Sequence, residues 1–303
     1  MRLALALVAV LLLAASAEAA ERPRLRDTGV RALASPLISD GERYVVAPTP
    51  RGELLIDALN GRRRLVSRPC VSCVLTDVGG GAVLWTGDDD VARILDIASG
   101  TMTTLPSMSG EPNASGPERT FWTAIGRRWV RARVSGYHYH YFRHVDRRTG
   151  AVAPQHDQTY REIPDLDSER LWRPLCSPLR VPAQPDGELG DPEPADLTYR
   201  HPYTAGLAYN EDLQPVGPLF TRCGHPMRRL AGCPGRGCVD PALGPGVLAW
   251  QRRDGRFAAR RLPRGRTRTW PIYSPYFAVT RDRVWVVDWQ PNGPGPLRTA
   301  ALR

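Results

Sequence analysis

The stretch Leu95-Asp96-Ile97-Ala98-Ser99-Gly100 closes an apolar run on Asp96 and reaches a glycine four residues later. A strand-end aspartate can accept hydrogen bonds from the backbone of the turn ahead of it, and the glycine supplies the positive φ by which the chain reverses. The same plan recurs at Leu54-Leu55-Ile56-Asp57 with Gly61 and at His144-Val145-Asp146 with Gly150. Each copy follows an earlier β-prone run, over residues 44–46, 82–85 and 129–134. The aspartates are 39 and then 50 residues apart. Periods of about 40 to 50 residues with several strands per unit indicate propeller blades.

The rhythm continues with less of the signature. Residues 207–209 with 213–219, 247–251 with 257–262, and 276–279 with 284–289 read as strand pairs, the last two joined by short hairpin turns. The count reaches about six four-stranded blades. No segment after the first twenty residues keeps an apolar period of 3.6, so little helix is expected. Residues 107–118 and the Pro-, Gly- and acid-rich 183–196 are expected as exposed loops.

The chain begins with Arg2, an apolar run from Leu3 to Ala15, and the small-residue stretch Ser16, Ala17, Glu18, Ala19, Ala20. That order is the pattern of a cleaved signal peptide. Residues 1–20 are therefore assigned to export, and residues 21–303 to one all-β propeller domain delivered outside the cytoplasm. No later stretch approaches the roughly 20 apolar residues of a spanning helix. Gly (28) and Pro (29) together approach a fifth of the 303 residues, so many turns must separate short segments, while 42% hydrophobic content is enough for a real core.

The net charge is +10, and all 41 basic residues are arginine. Codon bias in a GC-rich genome explains the absence of lysine, and the charge attracts polyanions without identifying one. Six cysteines in an exported chain allow three disulfides and fifteen pairings. Proximity in the chain favours Cys70 with Cys73 and Cys233 with Cys238, which leaves Cys176 with Cys223.

With Val145-Asp146-Arg147-Arg148-Thr149-Gly150 set beside the 95–100 string, the corner resembles that of bacterial exported β-propellers of the TolB-like and quinoprotein-like kinds. The resemblance implies a fold and carries over no catalytic residue. The quinoprotein version places Trp four residues after the glycine; here those positions are Leu65, Thr104 and Pro154, so no quinone or other cofactor is assigned.

Candidate chemistry is sparse. In Tyr137-His138-Tyr139-His140-Tyr141 with His144, strand alternation puts His138, His140 and His144 on one face, a spacing compatible with zinc or copper. An aromatic-rich strand with its imidazoles at a wet surface is the plainer account. Cys70-Val71-Ser72-Cys73 has redox-pair spacing, but the strand-like Val74-Leu75-Thr76 that follows favours a structural bridge. Asp88, Asp89 and Asp90 read as a solvated hairpin tip, Asn113-Ala114-Ser115 as a chance glycosylation pattern, and the arginine pairs from Arg62 to Arg261 as surface. The tryptophans read mostly as core.

The expected function is therefore a non-enzymatic propeller that binds a protein or cell-envelope component. The alternatives are an extracellular hydrolase or lyase acting on a glycan or ester at the channel, and a charge-driven binder of anionic polymers. No membrane span and no specific nucleic acid are expected.

Overall fold

A computed structural model of the chain describes residues 24–108, 118–136, 140–154, 162–174, 198–200, 203–209, 215–222, 225, 228–230, 241–252, 254–291 and 293–302. These residues form strands, turns and no helix. They make seven sheets, five of them four-stranded, and every strand pair is antiparallel.

In chain order the first sheet holds Ile38–Ser39, Tyr44–Thr49, Gly52–Asp57 and Arg63–Val66. The second holds Val74–Gly79, Ala82–Thr86, Ala92–Asp96 and Met102–Leu105. The third holds Arg119–Ile125, Trp129–Ser135 and His140–Asp146, with a bridge from Val145 to Val152 beyond its last strand. The fourth pairs Glu162–Pro164 with Trp172–Pro174. The fifth holds Thr198–Arg200, Tyr203–Tyr209, Pro215–Arg222 and Arg228–Arg229, and the sixth Ala242–Leu243, Val247–Gln251, Phe257–Arg261 and Thr267–Trp270. The seventh combines both ends of the chain: Phe277–Thr280, Arg283–Val287 and Gly295–Ala301 are completed by Arg26–Ala32, which pairs with Gly295–Ala301.

At five boundaries between neighbouring sheets, apolar faces are buried against each other, which explains why these strands are apolar on both sides. Val247, Phe257, Val279 and Val286 form one cluster between the sixth and seventh sheets, and Ala47, Ile56, Trp285 and Leu297 another between the seventh and first. Val46, Leu55, Val83 and Trp85 join the first to the second, and Leu84, Ile94, Trp122 and Val130 the second to the third. Tyr203 and Phe220 of the fifth meet Leu248 and Trp250 of the sixth. The first strands of six sheets converge on one shared cavity. Sheets packed face to face around a common axis are a propeller-like arrangement.

The corners that reveal the fold in the sequence hold their expected geometry. Asp96 accepts from the N–H of Ala98 and Ser99 at 3.1 and 2.8 Å, Asp146 from Arg148 and Thr149 at 2.8 and 3.1 Å, and Asp57 from Leu59 at 3.0 Å. Gly61, Gly100 and Gly150 have φ of +71°, +73° and +73°. In each case the residue after the aspartate donates its N–H to the turn between the sheet's first two strands: Ala58 to Arg43, Ile97 to Gly81 and Arg147 to Arg128, all at 2.8 Å. Leu262 to Gly246 and Leu302 to Asp282 repeat the bond in the sixth and seventh sheets, where no aspartate marks it.

Neighbouring sheets approach closely where glycine permits it. A Cβ on Gly80 would lie 2.2 Å from the backbone nitrogen of Arg127 in the third sheet, and Gly80 has φ of +54°. Gly81 beside it has φ of +75° but open space around its Cα. Gly80→Ala is therefore expected to cost about 3 kcal/mol, from left-handed strain plus overlap, and Gly81→Ala about 1 kcal/mol from strain alone. Melting midpoints by calorimetry check this; equal losses would show that the two sheets separate at no cost.

Candidate functional site

The cavity on the axis has a volume of about 570 Å³. Ser39, Asp77, Ala124, Pro164, Leu243 and Ala278 reach it, one from each of six sheets. Its charged residues are Asp40, Asp77, Asp165, Asp167, Arg131 and Arg173.

The turn chemistry of the inner strands places the carboxylates. Asp40 follows the first strand of the first sheet, and its Oδ1 accepts from the backbone N–H of Glu42, Arg43 and Tyr44 at 2.9, 2.7 and 2.9 Å. Burial pushes its pKa up, opposed by those three donors. Asp77 accepts from the N–H of Ile125 at 2.7 Å and so ties the second sheet to the third. Asp167 accepts from the N–H of Arg127 at 2.7 Å. Asp165 accepts from the N–H of Asp167 at 3.1 Å and pairs with Arg173 at 2.5 Å. Arg131 donates from Nε to Thr123 Oγ1 at 3.0 Å and lies over the Phe142 ring, 5.2 Å from its centroid. All four carboxylates thus cap backbone amides. None of these residues stands out in the sequence, although the turn pair Asp40-Gly41 and the run Gly79-Gly80-Gly81 mark two of the places where inner strands end.

Of the three candidate histidines, only His144 has a described side chain. His138 lies outside the described residues, and His140 is described only as part of a strand. His144 is buried, opposite Arg131 in the strand register and edge-on to Trp172, with ring centroids 5.2 Å apart. Its Nε2 has no hydrogen-bond partner among the described residues. Burial, reinforced by the positive charge of Arg131, lowers its pKa to about 3. Among the described residues no three His, Cys, Asp or Glu side chains gather as a metal site.

At the opposite ends of the strands, Cys70 and Cys73 are bonded, with sulfurs 2.01 Å apart, in the connection between the first and second sheets. Cys176, Cys223, Cys233 and Cys238 lie outside the described residues, as do Asn113-Ala114-Ser115 and residues 183–196. The hairpin tip acids are occupied: Asp88 accepts from Ser72 Oγ at 2.7 Å, Asp89 pairs with Arg93 at 2.6 Å, and Asp90 pairs with Arg119 at 2.8 Å. The hydrogen bond from Arg93 holds the Asp89 carboxyl down at about 2. Some arginines expected on the surface are structural. Arg64 donates to Ile97 O at 2.8 Å, Arg128 pairs with buried Asp146 at 2.7 Å, and Arg260 lies over Phe220. Trp85, Trp122, Trp250 and Trp285 are core, while Trp289 is exposed.

No known protein family and no curated protein matches the chain. Among solved structures it is similar to BamB from Moraxella catarrhalis, at 15% identity over 89% of this chain and 85% of that one, with a TM-score of 0.40. It is also similar to a putative TolB from Agrobacterium tumefaciens, at 9% identity over 90% and 91% of the two chains with a TM-score of 0.42. A third similar structure is YCF48 bound to D1 peptide, at 10% identity over 93% and 97% with a TM-score of 0.45.

The state of His144 sets an acid limit on stability. A histidine held near 3 in the fold but titrating near 6.5 when unfolded leaves stability complete above pH 6.5. As the pH falls from there toward 3, the unfolded chain takes up a proton that the native chain refuses, and stability is lost. His144→Phe is expected to flatten the fall in melting temperature between pH 6.5 and 4. An unchanged slope would mean that the imidazole is solvated in the fold.

Proposed function

We propose that the chain is an exported, non-enzymatic β-propeller that binds a protein or cell-envelope component. In this reading each of the seven sheets is one blade, one more than the rhythm of strand pairs suggests, and residues 21–303 are a single domain. Residues 1–20 act as a cleaved export signal. The Cys70–Cys73 bond fits an oxidising compartment outside the cytoplasm.

The observation that carries the binding reading is the state of the axial carboxylates. A hydrolase or lyase needs one carboxyl poised as acid or base and open to substrate. Asp40, Asp77, Asp165 and Asp167 instead satisfy backbone amides, which fixes their orientation; Asp40 and Asp165 brace their own turns, while Asp77 and Asp167 tie the second and fourth sheets to the third. A rigid ring with such an interior offers its rims and connections for recognition.

Immobilised mature chain, residues 21–303, is expected to retain a single component from envelope extract in near-stoichiometric amount. Turnover of a glycan or ester by the purified chain, abolished by Asp40→Asn or Asp77→Asn without loss of fold, would overturn the proposal.

A further inference from the structure

We infer that a groove on the outer rim, where the closing strand meets the first sheet, takes an acidic extended peptide segment of a partner protein with an apolar side chain set among its carboxylates. The inference rests on the binding role proposed above and assigns it a surface.

The closing strand Arg26–Ala32 slips register against Gly295–Ala301 between Asp27 and Arg31, with Gly29 at φ of +74° in the bulge. Opposite it stands the turn joining Tyr44–Thr49 to Gly52–Asp57. The cleft between them has a volume of about 430 Å³. Val30, Pro50, Leu54 and Leu65 make its floor, and Arg31 and Arg51 its walls. Leu65 is 56% exposed, a cost that a strand position in a packed sheet ordinarily avoids.

Positive charge predominates around this floor. Arg31 and Arg51 are exposed, and among the described residues neither guanidinium has an ionic or hydrogen-bonding partner. Arg63, two residues before Leu65 on the same strand face, is exposed as well. Two nearby acids are committed elsewhere: Asp57 pairs with Arg43, and buried Glu53 accepts from Arg68 and, at 2.6 Å, from the Trp85 indole. Asp27, held on the N–H of Gly29, is the one acid beside the groove whose charge is left unpaired among the described residues, against Arg31, Arg51 and Arg63. Arginine forks suit carboxylates bidentately, while the floor gains only if an apolar group covers it. A sugar or phosphate polymer would satisfy the arginines and leave Leu54 and Leu65 in water. An acidic peptide with an apolar residue at its centre satisfies both.

The test uses fluorescence anisotropy of a labelled octapeptide of alternating aspartate and leucine, mixed with the mature chain. Binding is expected, and Arg31→Glu with Arg51→Glu should weaken it about tenfold. Replacing peptide leucine by serine should weaken it comparably, and so should Leu65→Asp. The proposal is overturned if the octapeptide does not bind, if reversal of the distant, exposed Arg264 and Arg266 weakens it equally, or if heparin or the serine peptide competes as well as the original. The same charge-reversed protein separates this inference from the broader one. If it still retains the envelope component, the groove assignment falls and the binding role stands; if wild-type protein retains nothing, the binding role itself falls.

Discussion

Five of the sheets are locked at one end by the same backbone hydrogen bond, from the first residue past the third strand to the turn between the first two. That bond makes the third strand run the full width of the hairpin before it. It leaves the first turn of each such sheet fixed in height, so neighbouring turns can meet. Arg281 then donates to Glu42 O at 3.0 Å between the seventh and first sheets, and Trp129 to Leu166 O at 2.9 Å between the third and fourth. Aspartate reinforces the bond in the first three sheets, and each of the three has an arginine partner: Arg43 on Asp57, Arg147 on Asp96 and Arg128 on Asp146. These ion pairs add little where exposed, but Asp57 and Asp146 are buried, and their amide and arginine donors satisfy charges that would be expensive alone.

The corners were legible because they are local: aspartate, three turn residues and glycine carry the whole instruction. The strand pairs over 82–85, 247–251 and 257–262 were legible for the same reason, as apolar runs separated by short turns. The closing strand was not. Arg-Asp-Thr-Gly-Val-Arg-Ala is mostly polar and owes its place to a partner at the far end of the chain, as when Thr28 Oγ1 donates to Leu297 O across 269 positions. The fourth sheet is not legible in the sequence because its described strands are three residues long, each ending in proline.

The axial residues were hidden for a different reason. Asp40 and Asp165 look like ordinary turn residues in sequence and do brace their own turns, but nothing local shows that they face a shared cavity; Asp77 and Asp167 take amides from another sheet. Glu53 is the clearest case: an acidic residue beside Leu54 reads as solvent-facing, yet the indole of Trp85 from the next sheet holds it in the core. His144 reads as the last of three histidines sharing a strand face, whereas its surroundings are set by Trp172 of the following sheet. Alternation specifies which side of a strand a residue takes, and the neighbour on that side decides whether it meets water.

The union of Arg26–Ala32 with Gly295–Ala301 has a temporal consequence. Six sheets can assemble from contiguous stretches of chain, but the seventh needs a segment made near the start and one made near the end. Until Gly295–Ala301 is in place, Arg26–Ala32 has no partner and the circle stays unsealed. Pairing across so long a stretch brings a large entropic cost before any contact rewards it. A copy in which Gly295–Ala301 has not yet docked is therefore the one most vulnerable to proteases and to strand exchange with a neighbour.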